Sequence, residues 1–187
     1  TPRDFVELPS QFMENYCYHP DIMKTYAFHY QTGEVMPDEL IAKINNAGKF
    51  NQGFVQTELL SAAILDMDYH KLNTTDAFDV NAFEEASMKK MHMIPEIITR
   101  YRSTFYNHIF TTGYAAGYYS YTWAAVLDAD AFAAFAETGD ILNPEQAKKF
   151  ARLLEQGGTR DAALLYQEFR GKDADPKHLL KRSGFID

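Results

Sequence analysis

Cysteine is nearly absent. Cys17 is the single thiol in 187 residues, so no internal disulfide framework can form, and a reducing compartment is compatible with that. Positive charge is also short. Eighteen Lys and Arg face 26 Asp and Glu, for a net charge of −8. That balance argues against a nucleic-acid partner, because phosphate binding needs a basic surface. No apolar run approaches the roughly 20 residues that a helix needs to cross a bilayer, so no membrane partner is expected. No secretory leader pattern is visible either. Internal repeats, low-complexity tracts and linkers are all missing, which points to one domain over residues 1–187. The six histidines, His19, His29, His70, His92, His108 and His178, form no H-x-x-x-H pair, and H-E-x-x-H is absent. A zinc site needs three or four protein ligands, and local spacing supplies no such set.

Apolar residues make up 46 % of the chain, enough for a sizeable core, and their spacing is helical nearly throughout. The expected fold class is all-α. A first helix is expected within residues 4–17, with Asp4 as N-cap and Glu7 three residues on as a capping-box partner. Pro9 either kinks it or marks its first turn. Pro20 opens a helix to about Tyr30, followed by a turn at Thr32-Gly33. Pro37 opens another, closed by Gly48. Residues 51–70 read as a long, largely buried helix, and 79–91 as a short one. Residues 94–112 are the least regular, and Ile97, Ile98, Tyr101, Phe105 and Tyr106 could support extended structure. One long helix is expected from about Tyr114 to Glu137. Asn143-Pro144, Thr159 and Pro176 begin three more, with stops at Gly157-Gly158 and Gly171.

The unusual stretch is T-T-G-Y-A-A-G-Y-Y-S-Y-T-W, residues 111–123. On a helix, Tyr114, Tyr118 and Tyr121 share one face and span about 10 Å of axis, while Tyr119 and Trp123 point elsewhere as packing residues. Such a stripe fits an aromatic core, where each buried phenol finds one partner. It also fits a ligand-facing surface. Gly113 and Gly117 favour the second, because each costs a helix about 1 kcal/mol relative to Ala and permits close approach or a movable loop.

Other acidic residues read as ordinary surface. Asp66 with Asp68, and Asp128 with Asp130, diverge on a helix and fit solvated faces. Glu84, Met88 and His92 share a face, which is poor support for a metal site. Cys17 reads as a packed thiol. Glu7, among Phe5, Val6 and Leu8, fits either the capping box or a metal ligand.

Three segments in order resemble the M3 family of zinc metallopeptidases: R-D-F-V-E-L-P-S-Q-F-M-E-N-Y at 3–16, F-Y-N-H-I-F-T-T-G-Y-A-A-G-Y-Y-S-Y-T-W at 105–123, and G-G-T-R-D-A-A-L-L-Y-Q-E-F-R-G at 157–171. The likeness is greatest to the bacterial dipeptidyl carboxypeptidase branch. It implies the helical C-terminal portion of a zincin-type catalytic domain, acting on short peptides and releasing C-terminal dipeptides. It implies Zn2+ as cofactor, with Glu7 as the third ligand. His108 aligns with a residue that contacts the substrate backbone. Tyr114 and Tyr121 align with phenols that stabilise the oxyanion, with Tyr118 a further substrate-binding candidate. Gly113 and Gly117 align with a flexible substrate loop. The family's H-E-x-x-H helix precedes the D-F-V-E segment and is not in these 187 residues. The chain is therefore expected to be inactive alone, to need the N-terminal part of the same polypeptide, and to self-associate through surface that part would cover. The resemblance implies a cytoplasmic location, with a periplasmic one as the alternative. A stand-alone helical module that binds a peptide or partner without catalysis is the competing reading.

Overall fold

The computed structural model describes residues 1–187. Ten α-helices run in order: α1 Leu8–Cys17, α2 Pro20–Tyr26, α3 Asp38–Ala47, α4 Gln52–His70, α5 Val80–Lys90, α6 Asn107–Thr111, α7 Ser120–Ala136, α8 Pro144–Glu155, α9 Ala162–Arg170 and α10 Lys177–Arg182. A 3₁₀ turn at Ser103–Phe105 precedes α6. The all-α class holds. No helix is long and apolar enough to cross a membrane.

Helix ends follow local chemistry. Asn143 caps α8, its side chain accepting from the N–H groups of Glu145 and Gln146, with Pro144 in the first turn. Asp79 and Asp161 cap α5 and α9 in the same way. Gly171 closes α9 at φ 79°, a conformation that only glycine adopts without steric cost.

Four boundaries differ from expectation. α1 begins at Leu8 with Glu7 at the capping position and Pro9 in the first turn, so Asp4 is not its N-cap. Proline is tolerated there because its missing N–H would have no helical partner anyway. α2 stops at Tyr26, where Ala27 turns extended. Phe28 then pairs with Val35 in an antiparallel bridge around the turn at Gly33, whose φ is 72°. Residues 94–112 contain the 3₁₀ turn and α6 in place of extended structure. Glu84 explains part of this: its Oε2 accepts from the Ser103 N–H at 2.8 Å and the Ser103 hydroxyl at 2.9 Å, and Arg102 pairs with its other oxygen. Finally, α7 begins at Ser120, six residues later than expected.

The chain divides into two compact units, and the division falls within α7. The first comprises residues 1–50 and 124–187. Its core joins Leu8 and Phe12 of α1 to Phe135 of α7, Phe150 of α8 and Phe169 of α9. Phe12 stacks on Phe150 with centroids 4.1 Å apart and meets Phe135 at 5.4 Å. Burying a side chain of this size contributes about 1.5–3 kcal/mol. The second unit comprises residues 51–123. Its core joins Ala62, Ala63 and Leu65 of α4 to Tyr106, Ile109 of α6 and Tyr118. Asp68 ties α4 to α5 by accepting from the Ser87 hydroxyl at 2.8 Å and from Lys90 at 3.1 Å.

Candidate active site

The second unit carries the tyrosine segment. Tyr114 and Tyr118 lie in a turn ahead of α7, and only Tyr121 is helical. A helix face does not bring these rings together. The turn does. Gly113 has φ 81° and ends the chain's run from α6, and Ala116 has φ 51°, uncommon for a residue with a Cβ. The Gly117 N–H donates to the Tyr114 carbonyl at 2.8 Å, and the Ser120 N–H to the Gly117 carbonyl at 3.1 Å. This compact reversal folds Tyr114 back over α7, where it stacks on Tyr121 with centroids 5.1 Å apart and planes 19° apart.

His108 joins from α6. Its ring centroid is 6.1 Å from that of Tyr114, 5.9 Å from Tyr118 and 6.5 Å from Tyr121. Tyr118 lies 5.1 Å from Tyr121. His108, Tyr114 and Tyr121 are half-buried. The arrangement therefore presents one imidazole and two phenols side by side on a partly open surface. Such groups can donate hydrogen bonds to carbonyl oxygens, and an imidazole can also accept.

Tyr118 differs. It is buried to 3 % exposure within the core, so it does not share the open face expected of it. Burial pushes its phenol well above the ordinary value, with further upward influence from Tyr101, while the Arg100 guanidinium opposes the shift. Tyr106 beneath it is raised for the same chief reason and donates to the Ala62 carbonyl at 3.1 Å. Gly117 is buried and Gly113 exposed. Tyr119 and Trp123, expected as packing residues, are exposed. Cys17 is exposed as well, contrary to the packed thiol expected.

The aspartates reverse their expected role most clearly. Asp66, Asp128 and Asp130 are buried to 0–1 % exposure. Asp66 accepts from the Ala116 N–H through Oδ1 and from the Tyr118 N–H through Oδ2, both at 2.9 Å. His70 Nδ1, one turn along α4, lies 2.8 Å from Asp66 Oδ1. A sequence signal for this existed: one carboxylate inside the apolar run L-L-S-A-A-I-L-D-M, with a histidine four residues on. Asp128 and Asp130 belong to the first unit, where Asn15 and Arg182 pair with Asp128, and Tyr166 and Arg170 with Asp130. Glu84 is buried in the 3₁₀-turn contacts, and His92 falls outside α5 at φ 56°, so the face expected for Glu84, Met88 and His92 does not form.

Glu7 is in the first unit. It is half-buried, and the Ser10 hydroxyl lies 2.9 Å from its carbonyl oxygen and 3.2 Å from its Oε2.

A family model described as Peptidase family M3 matches residues 1–185. The chain belongs to this family. Its relatives include the dipeptidyl carboxypeptidase of Escherichia coli K12, 43 % identical over 186 residues that cover 98 % of this chain and 27 % of that protein. The probable cytosolic oligopeptidase A of Arabidopsis thaliana is 39 % identical over 188 residues, with 98 % of this chain and 27 % of that protein covered. Oligopeptidase A of Haemophilus influenzae is 37 % identical over 190 residues, with 100 % and 28 % covered. This M3 chain thus spans little more than a quarter of the relatives it matches.

The M3 family is one of zinc metallopeptidases. No three His, Cys, Asp or Glu side chains of this chain converge as a metal-binding group. By themselves these residues do not fit a zinc site.

Proposed function

We propose that the protein of which this chain forms part is a zinc-dependent M3 peptidase that cleaves short peptides and releases C-terminal dipeptides. The convergence of His108, Tyr114 and Tyr121 on one partly open surface carries the reading. Hydrolysis of a peptide bond builds negative charge on the carbonyl oxygen. Preorganised donors aimed at that oxygen lower the barrier because they need no reorganisation as the charge develops. In this reading Tyr114 and Tyr121 donate to the oxygen, and His108 bonds the peptide backbone and orients it. Tyr118 backs the two phenols from the core. Gly113, at φ 81°, lets the chain bend tightly into the turn that carries Tyr114. Glu7 supplies one carboxylate to a zinc site whose other ligands lie elsewhere in the polypeptide.

Both units are parts of one catalytic domain in this proposal. The partner is the remaining N-terminal portion of the same polypeptide, and the substrates are short peptides. A cytoplasmic location is supported by the sparse, exposed cysteine and by the word cytosolic in one relative's name.

The test is steady-state kinetics and metal analysis on the complete polypeptide. Tyr114→Phe and Tyr121→Phe each lower kcat by about 10²- to 10³-fold, the usual loss for one oxyanion donor. Glu7→Ala loses zinc and activity together. Wild-type turnover in all three variants would refute the proposal.

A further inference from the structure

The buried carboxylate of Asp66 takes no part in the proposed chemistry, yet it holds the turn that carries the phenols. We infer that Asp66 is a positioning residue for the tyrosine site, clamping the 114–118 turn onto α4 so that Tyr114 and Tyr121 keep their stacked arrangement. The inference rests on the proposed peptidase role of those tyrosines.

The geometry is specific. Both carboxylate oxygens are used, Oδ1 by the Ala116 N–H and Oδ2 by the Tyr118 N–H, each at 2.9 Å. The side chain is fully buried. A buried carboxylate is costly unless donors satisfy its oxygens. The two amides do so, and they lie within the reversal, where Ala116 holds positive φ. His70 lies beside the carboxylate, with Nδ1 2.8 Å from Oδ1 and 3.3 Å from the Ala116 nitrogen, and its side chain is 27 % exposed. From Tyr118 the constraint passes on through its ring, 5.1 Å from Tyr121 and 5.9 Å from His108. Asp66 reaches this turn from a helix 50 residues away in sequence.

A purely structural carboxylate would lower stability without acting through the tyrosines, and a double-mutant cycle separates the two. In the complete polypeptide, Asp66→Asn puts an NH2 donor where one amide must be accepted. It lowers kcat about 10- to 100-fold with KM changed less than about threefold, the pattern of an interaction that matters in the transition state. In a Tyr114→Phe/Tyr121→Phe background the same substitution lowers kcat by less than about threefold. An equal fold-loss in both backgrounds overturns the inference while leaving the tyrosine reading intact. Wild-type kcat in the tyrosine variants removes that reading and the inference with it. Hydrogen exchange on the wild-type polypeptide adds a check that needs no variant. The Ala116 and Tyr118 amides exchange at least about tenfold more slowly than those of exposed residues 112 and 113, and equal exchange overturns the clamp. Should Asp66→Asn not fold, His70→Gln takes its place in the cycle. A kcat loss of about threefold that vanishes in the phenylalanine background supports the inference, and no loss or an additive one overturns it.

Discussion

Arg170 shows how single residues reconcile burial with charge. Its side chain is 7 % exposed, and its guanidinium spans two acids, Asp130 through Nε at 3.1 Å and Glu137 through Nη1 and Nη2 at 2.7 and 2.6 Å. Removing one partner of such a group leaves a buried charge unmatched, which is why the network matters more than any one pair. The Arg170 hydrogen bonds hold the Glu137 carboxyl below its usual value of 4.5, with burial opposing them. A depressed carboxyl contributes stability above its unfolded value and loses it as pH falls through the folded one. Wild type should therefore lose stability toward acid more steeply than Glu137→Gln. Urea midpoints of the complete protein between about pH 6 and pH 3 should converge for the two. A gap that stays constant over that range would show that the ion pair does not carry the acid response. The burial of Asp128 and Asp130 was not legible in the sequence, because an Asp at either position looks identical whether it meets water or an arginine 40 or more residues away.

At the scale of elements, punctuation by Pro, Gly and side-chain caps was legible because it is local. Pro20, Pro37, Asn143-Pro144, Gly171 and Pro176 stand where helices start or stop. The α8 cap tests this directly. Asn143 Oδ1 accepts from two backbone N–H groups at 3.1 and 3.0 Å, so Asn143→Ala should cost about 1 kcal/mol in chemical denaturation. No measurable loss would mean water or another group satisfies those donors. The start of α7 was not legible. Residues 114–119 have helix-compatible spacing, but the Asp66 carboxylate takes the N–H groups of Ala116 and Tyr118, which competes with a helical path through them. The same contact produced the site. A continuous helix would have strung the three phenols along a line, whereas the turn stacks Tyr114 on Tyr121 and sinks Tyr118 into the core.

At the scale of the molecule, each compact unit has its own core, and each leaves large apolar side chains in solvent. Tyr30 and Phe50 are 88 % and 76 % exposed in the first unit, and Ile98 is exposed in the second. Exposed apolar side chains that join into a contiguous patch mark contact with another chain or another part of the same one, and the large apolar residues exposed here supply material for such patches. The chain spans 27 % of the dipeptidyl carboxypeptidase it resembles, and the remainder of such a protein is the proposed cover. The 187-residue chain alone should accordingly self-associate. Sedimentation velocity should show mass above the monomer that rises with concentration, and a monomer at every loading would contradict this.

By itself the sequence determined the helical class, most helix ends and the family, since these rest on neighbours a few residues apart and on motifs in order. Tertiary structure alone decided which tyrosines are buried, that Asp128 and Asp130 are buried, and that the carboxylate on α4 accepts from two amides of the turn before α7. Those outcomes depend on groups tens of residues apart, whose meeting no local pattern specifies.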